Sequence, residues 1–93
     1  MNVEPDALIA HVPDCLAAEM GEELVLMIAG SGSYVVLDPV GRDVWSRIAP
    51  PCLFSVLCDG LVEAYAGDRA VIEADVAGLL GKLQEAGAVE IRR

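Results

Sequence analysis

The chain has 93 residues, 55% of them hydrophobic, enough for one packed domain, too short for two, and unlike a disordered segment. Its longest apolar stretches, such as Leu24 to Ala29, are far below the roughly 20 residues of a membrane span. The net charge of -9 is uneven: no Lys or Arg precedes Arg42, and after Asp38 eight acids face six bases, a pattern that repels nucleic acid and anionic membrane.

Met1-Asn2-Val3-Glu4-Pro5-Asp6 is acidic and lacks the positive flank of a secretory signal, so a cytoplasmic location is expected. With Pro5 and Pro13, residues 1–13 read as a flexible or irregular lead-in, and 14–93 as the domain proper. Cys15 to Met20 is a short predicted strand ending at Gly21, followed by apolar strands over Leu24 to Ile28 and Tyr34 to Leu37. Between the last two, Ala29-Gly30-Ser31-Gly32-Ser33 supplies glycines for a tight hairpin. The three strands form an antiparallel meander that needs a cover on one face.

Three helices supply the cover. Asp38-Pro39 is a helix start, with Asp38 as cap and Pro39 at the first helical position. Val40, Val44 and Ile48 make an apolar face that Trp45 widens, and Pro50-Pro51 ends the helix. The second helix is predicted from Leu53 to Tyr65, striped by Leu53, Val56, Leu57, Leu61, Ala64 and Tyr65 and stopped by Gly67. The third runs from Ala70 to Ala86 with a seam of Ile72, Val76, Leu79, Leu83 and Ala86, and stops at Gly87. Ala88 to Ile91 can add a terminal strand. The fold class is α+β, a three-stranded antiparallel sheet followed by three helices, similar in shape to a winged helix-turn-helix.

Catalytic chemistry finds little support, and no catalytic, metal or cofactor residue is assigned. Cys15, Cys52 and Cys58 have no zinc-like spacing and no C-x-x-C pair, so they read as reduced, mostly buried thiols. His11 stands alone and reads as an ordinary surface residue. Ser46, Ser55 and Cys58 lie within helices without a base beside them. Gly30-Ser31-Gly32-Ser33 lacks the lysine and spacing of a phosphate loop. A winged-helix DNA reader is also disfavoured, because the third helix carries Glu73, Asp75 and Glu85 against Lys82.

From Glu22 to Ile91 the chain resembles the PqqD-like domains, also called RiPP recognition elements. The likeness rests on Leu37-Asp38-Pro39-Val40-Gly41-Arg42-Asp43-Val44-Trp45, on Tyr65-Ala66-Gly67, and on the run from Ile72 to Val89. Ala49-Pro50-Pro51-Cys52 departs from the family's usual turn and is more similar to stand-alone recognition proteins of lasso-peptide clusters. The resemblance implies a non-catalytic domain that binds the leader of a peptide precursor as an extra strand. It would then present that leader to a separate leader peptidase, a cysteine protease, and to a cyclase.

The implied site is the edge Tyr34, Val35, Val36 and Leu37, facing a cleft under the third helix. On that helix Val71, Asp75, Gly78 and Lys82 form a line beside the seam residue Leu79. Gly78 would leave room for a leader aromatic or proline, and Asp75 would receive a leader Lys or Arg. Tyr34 and Val36 face opposite to Val35 and Leu37, and the sequence leaves open which pair lines the core. Two other readings stand beside this one. They are a peptide chaperone of pyrroloquinoline quinone synthesis and an acidic winged-helix module acting through protein contacts. An open edge can also pair with its own copy, giving a homodimer.

Overall fold

The computed structural model describes residues 3–92; Met1, Asn2 and Arg93, which the boundary readings included, lie outside the described residues. The expected meander is present as β2 (Cys15–Met20), β3 (Glu23–Ile28) and β4 (Ser33–Leu37), paired antiparallel in that order. Register sets Leu24 opposite Leu37 and Leu26 opposite Val35. These residues, with Ile28, turn toward the helices, where Leu24, Leu26, Ile28 and Leu37 are buried. Val35 and Leu37 are therefore the inward pair, and Tyr34 and Val36 face outward.

Helix α1 (Pro39–Arg47) follows at once. The Asp38 carboxylate accepts from the Gly41 amide at 2.7 Å, satisfying one of the free N–H groups of the first turn. Val44, Trp45 and Ile48 are buried, whereas Val40 is half exposed. Helix α2 (Phe54–Tyr65) buries Phe54, Leu57, Cys58 and Leu61. The predicted stripe is thus corrected: Leu53, Val56 and Tyr65 are exposed, because the docked face follows i, i+3, i+4, i+7 from Phe54. The stop is also one residue earlier, at Ala66, which holds the left-handed conformation at φ 49°.

Helix α3 (Arg69–Ala86) is capped by Asp68 and ends on left-handed Gly87 at φ 87°. Its fully covered residues are Val76, Ala77, Leu80 and Leu83, while Ile72, Leu79 and Ala86 are only partly buried. The seam is wider and rotated from the predicted one because α3 packs on α2 as well as on β4 and the terminal strand. Arg69 joins the helix as a second base, but its guanidinium is held by Asp59 and Glu73.

The largest departure lies in the lead-in. Leu8–His11 is a strand, β1, at the centre of a second antiparallel sheet between β5 (Cys52–Leu53) and β6 (Val89–Arg92). Ile9 in it is fully buried. The segment also completes α2, which has no side-chain cap. The amides of Phe54 and Ser55 donate instead to the carbonyls of Ala7 and Pro5, both at 2.9 Å. A four-residue run flanked by prolines gains its order from partners some 40 and 80 residues further along the chain. His11 is likewise not an ordinary surface residue: its ring stacks on Trp45 at 3.5 Å, and Nε2 donates to the Trp45 carbonyl at 2.8 Å.

Candidate functional site

The β4 edge and the N-terminal turn of α1 form one wall of a cleft, and α3 forms the other. Strand β4 pairs with β3 on one side, and no described strand pairs with its other side. Alternate residues of such an edge direct unpaired N–H and C=O groups outward, a ready template for an extended peptide. Beside it lies an open cleft of about 410 Å³.

Five of the sequence-predicted residues line this cleft: Val35, Val36, Leu37, Leu79 and Lys82. Four others do not. Tyr34 is 73% exposed on the outer face of the sheet, and Val71 is 58% exposed on α3. Gly78 is exposed, and a Cβ built there meets nothing within 4 Å. Asp75 lines a smaller cleft of about 100 Å³, with Val40, Leu61, Tyr65, Ile72 and Val76.

Sequence reasoning missed Glu23, Asp38, Gly41 and Leu83, which complete the larger cleft. The Asp38-Pro39-Val40-Gly41 run was the available signal. A residue whose amide must reach the cap sits close against the preceding strand. At Gly41 an added Cβ would lie 3.2 Å from Asp38 Oδ1 and 3.3 Å from Leu37 Cβ. The glycine keeps both the cap and the mouth of the cleft open.

The charges around this cleft are sparse and opposed. Glu23 and Asp38 stand on the strand side and Lys82 on the helix side. The Lys82 ammonium forms no ion pair among the described residues, unlike Arg42, Arg47, Arg69 and Arg92. The floor is apolar, so an entering side chain gains by burial while Lys82 offers a free cation at the rim. At the smaller cleft the Tyr65 hydroxyl donates to Asp43 Oδ2 at 2.7 Å, and Arg47 Nε donates to Asp43 Oδ1 at 3.0 Å. The hydrogen bond to the Asp43 carboxylate raises the Tyr65 hydroxyl above its ordinary range and fixes the ring at the cleft margin.

Among the described residues no group of three or more His, Cys, Asp and Glu side chains is placed to hold a metal ion. Burial pushes the Cys58 thiol up to about 11, with Glu73 adding to the effect, so it is protonated and unreactive near neutrality. No described helix is long and apolar enough to cross a membrane. The arrangement can bind an extended apolar segment, and among the described residues lining the cleft no nucleophile–base pair is present.

The solved structure "TbiB1 in Complex with the TbiA(beta) Leader Peptide" is similar to this chain, with a TM-score of 0.79 and 26% sequence identity. The match covers 87% of this chain and 94% of that one. No curated protein matches significantly. The family model described as Coenzyme PQQ synthesis protein D (PqqD) matches residues 23–89, from the first residue of β3 to the first of β6. The chain belongs to the PqqD family, as a PqqD-like domain of the RiPP-recognition-element type.

Proposed function

We propose that the chain binds the leader segment of a ribosomally made peptide precursor, of the lasso-peptide type, and presents it to a separate cysteine-protease leader peptidase and a cyclase. The observation that carries this reading is the unpaired β4 edge lying directly over an apolar cleft walled by α3. The leader adds to β4 as a further strand, so main-chain hydrogen bonds supply affinity and the cleft selects side chains. The likeness to a domain solved with a leader peptide supports it.

Spacing sharpens the reading. The α3 residues of the larger cleft, Leu79, Lys82 and Leu83, lie seven positions beyond Ile72, Asp75 and Val76 of the smaller one. Seven helical residues rise about 10 Å, which an extended peptide covers in about three residues. Side chains on one face of an extended leader recur every second residue, so two of them, two or four positions apart, can fill the two clefts. Lys82 at one then favours a leader acid nearby, and Asp75 at the other favours a Lys or Arg. Gly78 lies between the two clefts along α3 and has no side chain to obstruct the passage, while the exposed Val71 lies beyond the smaller cleft.

A labelled leader from the cognate precursor should bind the full chain with a Kd in the micromolar range or tighter, about -8 kcal/mol or more favourable. No binding in fluorescence polarisation would overturn the proposal. The family description favours a second reading, a peptide chaperone in pyrroloquinoline quinone synthesis. A radical enzyme encoded nearby supports that alternative, and an asparagine-synthetase-like cyclase with a cysteine protease supports the first.

A further inference from the structure

The two walls of the larger cleft are joined beyond one end by a single side chain. Ser31, in the turn between β3 and β4, accepts from the Ser33 amide at 3.3 Å and donates to the Ala86 carbonyl at 3.1 Å. Ser33 is the first residue of β4 and Ala86 the last of α3. One hydroxyl therefore links strand to helix through two hydrogen bonds in series, and bonds in such a chain polarise one another. The Ala86 carbonyl belongs to the last turn of α3, where no amide further along the helix remains to reach it. The amides that follow, of Gly87 and Ala88, donate to the carbonyls of Gln84 and Leu83 instead.

The tie stands at a defined place along the cleft. Leu79 and Leu83 line the cleft, and Ala86 continues the same helix face at i, i+4, i+7. Helix α3 thus runs toward the turn while β4 runs away from it. Beside the tie, Ile28 at the end of β3 is in packing range of the helix stop, since a Cβ built on Gly87 would lie 3.5 Å from Ile28 Cγ2. At its other end β4 passes into α1, and Val40 there borders the smaller cleft. The cleft is bridged at the turn and continues toward α1.

That bridge bears on what the cleft can hold. A strand added to β4 must touch both walls, with main-chain bonds to β4 and side chains against α3. Among the described residues β4 has β3 alone as a paired neighbour, so its spacing from α3 depends on the contacts beneath it and at its ends. Walls that part by roughly 0.5–1 Å forfeit a quarter to a half of the dispersion attraction of each affected contact, or else stretch the main-chain bonds. Ser31 itself does not line the cleft. Resting on the leader-binding reading, we propose that Ser31 is a positioning residue for the leader. Without touching the peptide, its hydroxyl holds β4 and α3 at the separation that one added strand fills.

The test uses the full chain, a fluorescent leader peptide and three variants in the turn. Ser31→Ala removes the hydroxyl at an exposed position, so the chain should stay folded. It should weaken leader binding about three- to fivefold, mostly through faster dissociation. Ser31→Thr keeps the hydroxyl and should bring affinity back to within about 1.5-fold of wild type. Gly30→Ala alters the same turn where an added Cβ meets nothing within 4 Å, and it should leave affinity unchanged. In the leader-free chain, amide NMR signals of residues 33–37 and of residues 79–86 should shift together in Ser31→Ala and return in Ser31→Thr. The two groups belong to different walls, so a change confined to the turn would not produce that pattern.

Wild-type leader affinity in Ser31→Ala overturns the proposal, as does a loss that Ser31→Thr fails to restore. An equal loss in Gly30→Ala assigns the effect to the turn as a whole and overturns it too. So do amide shifts confined to residues 29–33. A wild-type chain that binds no leader overturns the leader reading itself, and the amide signals then still decide whether Ser31 sets the spacing of the walls.

Discussion

The two sheets have the same number of strands and opposite construction. Strands β2, β3 and β4 are consecutive, joined by tight turns, and leave both an edge and a face open. Strands β1, β5 and β6 come from the two ends and the middle of the chain, and their central strand carries a fully buried Ile9. The local sheet leaves surface open, and the non-local one holds the fold shut. That division makes the edge of β4 dispensable for stability and available for binding, whereas β1 is needed to complete both the core and the first turn of α2.

The largest expected effect tests the closing sheet. Ile9→Ala should cost about 3 kcal/mol, because the site is surrounded and collapses poorly around the missing atoms. Urea unfolding would measure it. Val36→Ala on the half-exposed outer side of β4 should change stability by about 0.5 kcal/mol or less. Similar losses at the two positions would erase the distinction between the sheets.

Leader binding should sharpen the same contrast from the other side. Without leader, amides at the open edge of β4 should exchange hydrogen quickly and those of β1 slowly. Leader at about 100 times its Kd adds about 2.7 kcal/mol to the bound state. Hydrogen exchange should therefore show new protection concentrated in β4 and little change in β1. Protection appearing first in β1 would move the binding surface to the other sheet.

Cysteine chemistry reports on the same division through pH. Cys58 lies fully buried on α2, with Cys52 of β5 among the groups acting on it, and its thiol is pushed up to about 11 from an ordinary 9.0. Above pH 9 the unfolded chain sheds this proton before the folded one does, so unfolding is favoured as pH rises. Stability should fall between about pH 9 and 11 by on the order of 1–2 kcal/mol. The Cys58→Ala variant should show a flatter decline in a pH series of urea melts. Native alkylation should reach the half-buried Cys15 of the meander before Cys58.

What could be read from the chain follows the same line. Apolar alternation and turn glycines between residues 15 and 37, and the Asp38-Pro39 start of α1, are local signals, and the corresponding elements formed. Leu8–His11 reads as irregular in the sequence because its order depends on residues 52–53 and 89–92, whose pairing leaves no trace within a four-residue window. His11 reads as a surface residue for the same reason, since its stacking and hydrogen-bond partner, Trp45, is 34 positions away. Val35, Leu37, Leu79 and Lys82 are site residues implied by the family resemblance, and they line the larger cleft. Glu23 and Gly41 were missed because they reach the cleft through tertiary folding.

Gly78 gives the smallest effect and the finest test of how the cleft is used. It lies in the interior of α3 with open space where a Cβ would stand. Gly78→Ala should therefore add just under 1 kcal/mol of stability, through helix propensity and a less flexible unfolded chain. A methyl group pointing into solvent should leave leader affinity within twofold. Gly78→Trp projects a large ring over the passage between the two clefts, and it should weaken leader binding at least tenfold while the chain stays folded. If the tryptophan variant binds leader like wild type, the leader does not cross α3 at this turn, and its contacts are confined to the β4 edge and the larger cleft.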